Sequence, residues 1–165
     1  MASKFHARYP YLILMLVTLC LDRWTKSIIQ SRFSLNESIS VIDDFFNITY
    51  VTNTGVAFGI FSSISSPTKA MLLSLFTAVA AVVVVVYSLR SPAGDRLLQV
   101  ALASILGGAL GNLYDRVSYG YVIDFLEFYY RSYHWPSFNV ADSAISTGVV
   151  LLAIEIVRNE THART

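Results

Sequence analysis

Four long apolar stretches dominate the sequence and predict membrane-spanning helices. A bilayer core of about 30 Å requires about 20 mostly apolar residues in helical conformation. The stretches cover residues 9–29, 70–89, 97–114 and 140–157. The second stretch is uncharged, whereas the first ends with Asp22, Arg23 and Lys26, and the fourth starts close to Asp142. The pattern predicts an all-α polytopic membrane protein with four transmembrane helices and a single domain over residues 1–165.

The segments that connect the predicted spans differ in character. Residues 33–66 contain β-branched and aromatic runs at 39–42 and 45–51, followed by the turn former Asn53-Thr-Gly55, which indicates a short hairpin or small sheet on the membrane surface. Residues 115–139 are rich in Tyr, Phe and Trp, as is typical of an interfacial aromatic loop. The remaining link, residues 90–96, is short and contains Pro and Gly, so it predicts a tight turn.

The overall composition agrees with a membrane protein. Hydrophobic residues make up 55% and charged residues 14% of the chain, against about 45–50% and about 25% in a typical soluble domain. A net charge of +1 provides no basic surface for nucleic acid. The single cysteine, Cys20, excludes a disulfide framework.

The N-terminus has some features of a cleavable signal peptide. Lys4 and Arg8 precede an apolar run, but Leu19 stands where cleavage requires a small residue. We therefore expect a retained first helix. Basic residues are equally numerous on the two sides of the four-span arrangement, but they are denser in the short segments that contain the termini. This density favours a cytoplasmic location for both termini.

Three carboxylates at helix ends are candidates for chemistry. Asp22, Asp115 and Asp142 fall on one side of the membrane in a four-span topology, whichever way the protein is inserted. Charged residues in membrane helices are costly and usually functional, although each one alone fits a solvated helix end. Asn112 lies one helical turn before Asp115, and Asn139 precedes Asp142 by the same spacing.

Asp115 and Asp142 are predicted to approach each other because one ends a helix and the other begins the next. Two adjacent carboxylates share a proton, so that one deprotonates water while the other donates to a carbonyl oxygen. This chemistry fits aspartic-protease hydrolysis. Asp22 and Lys26 fit an ordinary ion pair equally well.

Other interpretations of these features remain open at this point. A small proton-coupled membrane transporter or channel subunit also uses intramembrane acids, but it would spread them through the membrane depth. A structural protein that oligomerises through Gly107–Gly111 is a third class. Close packing of the third helix against a neighbour explains these glycines better. His6, His134, His162 and Cys20 are too scattered to suggest a metal site.

Five motifs, in order along the chain, make the sequence similar to the lipoprotein signal peptidases (signal peptidase II). They are Asp22-Arg-Trp-Thr-Lys26, Asn53-Thr-Gly-Val-Ala-Phe58, Gly107-Gly-Ala-Leu-Gly-Asn-Leu-Tyr-Asp-Arg116, Val122-Ile-Asp-Phe125 and Phe138-Asn-Val-Ala-Asp-Ser143. The resemblance implies an intramembrane aspartyl endopeptidase of the bacterial cytoplasmic (inner) membrane. Such enzymes remove the signal peptide from prolipoproteins just before a diacylglyceryl-modified cysteine.

The resemblance also implies roles for individual residues. Asp115 and Asp142 match the catalytic pair, and Asp124 has a structural role in the segment over the site. Residues that bind substrate or support the site are Asp22, Lys26, Asn53, Gly55, Asn112, Arg116 and Asn139. The implied partners are prolipoproteins, membrane lipids and the inhibitory peptide antibiotic globomycin, and no cofactor or metal is implied. The hairpin segment and the aromatic loop are expected to form an extracytoplasmic β-cradle and a lid over the site.

Overall fold

The computed structural model describes residues 7–55 and 67–163. The elements in chain order are α1 (Tyr9–Arg32), β1 (Ser38–Ile42), β2 (Phe46–Asn53), α2 (Pro67–Arg90), α3 (Arg96–Tyr119), β3 (Val122–Tyr130), β4 (Tyr133–His134) and α4 (Val140–Ala163). Each of these helices has 24 residues, a length of about 36 Å at about 1.5 Å per residue. The predicted loop 33–66 lies outside the described residues from position 56 onward.

Within the described ranges, three helices are long and apolar enough to cross a bilayer: Thr68–Arg90, Arg96–Tyr119 and Val140–Asn159. They contain the three predicted spans at 70–89, 97–114 and 140–157. α1 covers the predicted span at 9–29 but is not among these three, and its sequence includes Asp22, Arg23 and Lys26.

The centre of the bundle is α3, which packs against α1, α2 and α4. Small residues allow this close packing. A Cβ on Gly107 would lie 2.8 Å from the Met15 carbonyl of α1, and a Cβ on Gly108 would clash with the Ala141 carbonyl of α4. These glycines therefore allow close packing between helices of the same chain, as predicted from the sequence.

The buried side of α1 is unusually polar. Thr18, Asp22, Lys26 and Ile29 are its buried residues and recur every three or four positions, so they form one stripe along the helix. Apolar residues cover the opposite side, where Ile13 is 60% exposed. This inverted pattern places charge inside the bundle and apolar surface outside, as suits an apolar surrounding.

A four-stranded antiparallel sheet, with strand order β1-β2-β3-β4, is attached to one end of the bundle. The predicted hairpin corresponds to β1 and β2. A small core of Ile29, Ile123 and Phe125 joins α1 to β3. In the β2–β3 register Asn53 pairs with Val122 and Val51 with Asp124, which brings the end of β2 next to the start of β3.

The prediction of an aromatic loop over residues 115–139 is wrong for much of this segment. α3 continues to Tyr119, and β3 and β4 follow. Aromatic and β-branched residues favour strands as well as membrane interfaces. Here they extend the sheet, and Phe128 packs against Phe45 and Phe46 of the hairpin.

The opposite end of the bundle is closed by the predicted tight turn between α2 and α3. Arg8 donates to the backbone carbonyls of Ser88 at 2.7 Å and of Ser91 at 2.8 Å, at the C-terminus of α2. A cation at this position satisfies unpaired carbonyls and opposes the helix dipole. Asp95 caps the N-terminus of α3 by accepting from the Leu98 N–H.

Candidate active site

A buried ionic cluster joins α1 to α3 beneath the sheet. The Lys26 Nζ lies 2.8 Å from Asp22 Oδ2, 2.8 Å from Asp115 Oδ2 and 2.9 Å from Asn112 Oδ1. The side chains of Asp22, Lys26 and Asp115 are 0% exposed. Gly111 makes room for this arrangement because a Cβ there would lie 2.5 Å from Asp22 Oδ2. Removing one partner of a buried charge pair leaves the other uncompensated, so loss of any one of these side chains would destabilise the contact between α1 and α3.

Both oxygens of Asp115 have partners. Arg23 forms an ion pair with Oδ1, and Oδ2 accepts from Lys26 and from the Ile123 N–H at 3.2 Å. Arg23 also lies over the Tyr114 ring, 4.2 Å from its centroid. Asp115 is thus an anchor between α1, α3 and the start of β3, and its carboxylate is closed to solvent.

Asn139 and Asp142 form a reciprocal cap at the start of α4. The Asp142 N–H donates to Asn139 Oδ1 at 2.9 Å, and the Asn139 N–H donates to Asp142 Oδ2 at 3.3 Å. This is the pattern of a capping box with Asp in place of the usual Glu. The cap orients the Asp142 carboxylate, whose Oδ1 accepts from Asn112 at 2.8 Å.

Asp124 lies beside this cap. Its Oδ1 accepts from the Asn139 side-chain amide at 2.7 Å, and its Oδ2 accepts from Asn53 at 3.0 Å. Burial and the negative charge of Asp142 raise the pKa of Asp124 to about 7, against the lowering effect of hydrogen bonds from Asn53 and Asn139 and of the Lys26 charge. A carboxyl in this state exchanges a proton close to neutral pH, as an acid–base catalyst requires.

The turn after β2 is fixed next to the carboxylates. Asn53 Oδ1 accepts from the Gly55 N–H at 2.8 Å. Arg116 donates to the Gly55 carbonyl at 3.1 Å. The Asn53 side chain therefore holds its own turn with one end and Asp124 with the other.

An open cavity of about 610 Å³ begins at these residues and follows one side of α4. Its lining residues are Asn53, Trp135, Ser137, Phe138, Asp142, Ser143, Ile145, Ser146, Val149 and Val150. Asp142 is half-buried and faces this space, whereas Asp115 has no exposed side-chain surface. The cavity thus has polar groups at one end and an apolar helix face along its length.

All nine residues predicted for the site belong to one connected network: Asp22, Lys26, Asn53, Gly55, Asn112, Asp115, Arg116, Asn139 and Asp142. Asp115 and Asp142 are linked through Lys26 and Asn112. The network has two further members: Asp124, to which the prediction gave only a structural role, and Arg23, to which it gave none. Asp124 is an acid flanked by apolar residues in the buried first half of β3, which is a usable signal. Arg23 gives no comparable signal because surface arginines are common.

No group of three or more His, Cys, Asp or Glu side chains in residues 7–55 and 67–163 is arranged to hold a metal ion. The side chains that the site presents are carboxylates, amides and cations.

The fold and the acidic site are those of a membrane-embedded peptidase. The profile of the signal peptidase (SPase) II family matches residues 14–158, and the chain belongs to this family. It is a bacterial membrane protein.

The chain is similar to several lipoprotein signal peptidases. It is 42% identical over 153 residues to that of Syntrophus aciditrophicus (strain SB), covering 90% of this chain and 95% of that protein. It is 46% identical over 143 residues to that of Geobacter sulfurreducens, covering 87% and 88%. A bacterial membrane enzyme solved by the in meso method at 2.3 Å has a TM-score of 0.83 and 30% identity, covering 93% of this chain and 90% of that one.

Proposed function

We propose that this protein removes the signal peptide from diacylglyceryl-modified prolipoproteins by cutting just before the lipid-modified cysteine. Family membership supports cleavage of prolipoproteins. The cavity suits a substrate that is partly in lipid, because it has carboxylates at one end and apolar residues of α4 along its side. The single observation that carries the proposal is the Asn139 side chain, which contacts Asp124 and caps α4 by accepting from the Asp142 N–H.

We propose that Asp124 and Asp142 are the catalytic pair and that Asp115 is an anchor. The sequence pattern places Asp115 in the pair. Its two ion pairs and complete burial favour a fixed negative charge instead. Asp124 and Asp142 share Asn139 as a partner, and the charge of Asp142 acts on Asp124. Such coupling is typical of two carboxyls that hold one proton between them.

In the proposed reaction, ionised Asp142 takes a proton from water as the water oxygen attacks the scissile carbonyl carbon. Protonated Asp124 donates its proton to the carbonyl oxygen, which gives a neutral tetrahedral intermediate. When the C–N bond breaks, the leaving nitrogen takes the proton from Asp142, and Asp124 recovers a proton from the intermediate's hydroxyl. Both carboxyls then have their starting protonation states.

Three asparagine side chains hold the carboxyls of this pair in place, and Arg116 holds the adjacent turn. Asn139 and Asn53 fix the two oxygens of Asp124, and Asn112 fixes Asp142. We assign to Asn53, Gly55 and Arg116 the binding of the extended substrate backbone, because their turn borders the cavity. Asp22 and Lys26 support the site from α1. Globomycin would inhibit by occupying the same cavity.

The proposed membrane arrangement has four transmembrane helices, with α1 as the first. At about 36 Å, α1 is long enough to span a bilayer core of about 30 Å, and its outer side is apolar. Both termini are cytoplasmic, and the sheet and the site face the extracytoplasmic side as a cradle. The chain forms a single domain because α3 contacts each of the other three helices.

The test uses protein purified in detergent and a prolipoprotein carrying diacylglyceryl-cysteine. We expect cleavage by the wild type and a loss of about 100-fold or more in kcat for Asp124→Asn and for Asp142→Asn. Asp44→Asn, in the exposed hairpin turn, is the matched control and retains activity. Absence of wild-type cleavage of verified substrate would refute the function. Full activity of Asp124→Asn would refute this choice of pair.

A further inference from the structure

Arg23 closes the ionic cluster on its outer side. Its side chain is 22% exposed, whereas that of its partner Asp115 is 0% exposed. The guanidinium pairs with Asp115 Oδ1 and lies over the Tyr114 ring. The other oxygen of Asp115 faces Lys26. Asp115 is thus neutralised by two cations, of which Arg23 is the partly exposed one.

Lys26 connects this ion pair to the proposed catalytic carboxyls. Its ammonium is shared by Asp22, Asp115 and Asn112, and Asn112 in turn donates to Asp142. The charge of Lys26 also acts on Asp124. If Arg23 were absent, Asp115 would have Lys26 as its only ion-pair partner in the described structure. The negative charge of Asp115 would then be less compensated and would act on the proposed pair.

Charges around the proposed pair come from each element that packs there. The carboxylates are Asp22 of α1, Asp115 of α3, Asp124 of β3 and Asp142 of α4, and the cations are Arg23 and Lys26 of α1 and Arg116 of α3. The Tyr121 phenol interacts with Tyr50 and Asp115, and Lys69 of α2 contacts Thr54, next to the cavity residue Asn53. With one proton on the pair, three negative charges face three positive charges, so the cluster is neutral.

We propose that Arg23 is a positioning residue that sets the number of protons held by the proposed catalytic pair. It does so by neutralising Asp115, so that the cluster is balanced when Asp124 and Asp142 share one proton. The inference rests on the proposed function, because it concerns the protonation of the same two carboxyls. It assigns Arg23 no contact with substrate.

Replacement of Arg23 tests the inference through the pH dependence of kcat/KM. Loss of one positive charge favours protonation of the pair, so Arg23→Gln should move both limbs of the bell-shaped profile to higher pH by about one unit. Arg23→Lys keeps the charge and should restore the wild-type limbs. Arg32→Gln, at the exposed end of the same helix, is the control and should leave the profile unchanged. A purely structural role would lower kcat at every pH without moving the limbs.

A second measurement requires no turnover. The infrared band of protonated carboxyls at pH 7 should be stronger in Arg23→Gln than in the wild type or Arg23→Lys. A weaker band in Asp124→Asn would assign part of it to the Asp124 carboxyl. If Arg23→Gln moved neither limb of the pH profile and left the infrared band unchanged, the role proposed for Arg23 would be wrong. Cleavage by the wild type would in that case leave the proposed function intact. Failure of the wild type to cleave, with the band changed as expected, would refute the function alone.

Discussion

The side-chain amide of Asn139 donates to Asp124 at 2.7 Å. The same residue caps α4 through its side-chain oxygen, which accepts from the Asp142 N–H. One residue thus fixes the start of a helix and the position of a carboxylate on a neighbouring strand. The two tasks use different atoms, so they can be separated by substitution.

Asn139→Ser is expected to keep the cap and lose the contact with Asp124. Serine is as good an N-cap as asparagine, but it has no amide to reach the strand. We expect kcat to fall by about 100-fold. Stability should fall by about 1–3 kcal/mol, because the buried Ile123 carbonyl and Asn112 side-chain oxygen also lose this donor. Asn139→Ala is the comparison, since it loses both functions and about 1 kcal/mol of stability from the cap. Equal kcat for Asn139→Ser and the wild type would contradict a positioning role for the amide.

The stability of the protein should depend on pH through Asp124. Its pKa is about 7 in the folded state, above the ordinary value of 3.8. The folded state therefore binds more protons than the unfolded state between these values, and the free energy of unfolding falls as pH rises from about 4 to about 7. Thermal unfolding across this range should show a smaller decline in Asp124→Asn. Asp44→Asn should keep the wild-type decline, and an identical slope in all three proteins would count against the raised pKa.

Gly111→Ala should separate α1 from α3. The added methyl would lie 2.5 Å from Asp22 Oδ2, so the helix or the carboxylate must move away from Lys26. Overpacking of this kind costs about 1–3 kcal/mol, and activity should fall because the cluster supports the site. Gly94→Ala is the control, because nothing lies within 4 Å of a Cβ at that position. If both variants melted like the wild type, the close approach of the two helices would be wrong.

Filling the cavity should weaken substrate binding more than it slows chemistry. Ser146 lies on the cavity side of α4, one turn beyond Asp142. We expect Ser146→Phe to raise KM by about tenfold, equivalent to about 1.4 kcal/mol of binding, with kcat changed much less. Val157→Phe places the same ring on an exposed part of the same helix and should leave both constants unchanged. A KM unaffected by Ser146→Phe would place the substrate elsewhere.

Much of the architecture could be predicted from the sequence because it depends on local composition. Long apolar runs determine the helices, and the fixed spacing within a helix brings Asp22 next to Lys26. The strand character of residues 122–130 was hidden because aromatic residues suit both a strand and a membrane interface. Only the sheet register shows that this segment returns beside β2.

The position of Asp124 could not be obtained in the same way. It depends on a contact with Asn139, which lies 15 positions further along the chain, and on pairing with a strand more than 70 positions earlier. Asp115, in contrast, has a conspicuous place at a helix end. Its partners Arg23 and Lys26 are more than 85 positions away, so neither its burial nor its neutralisation follows from helical spacing.

The buried contact between Lys26 and Asn112 joins positions 86 residues apart. As the chain is synthesised, α1 is made before α3 and α4, so Asp22 and Lys26 can at first pair only with each other. Productive assembly therefore waits for α3, and for α4 with its Ala141 N–H donating to Asp22. The partners of the buried charges on the first helix are therefore complete only when the third and fourth helices have been made.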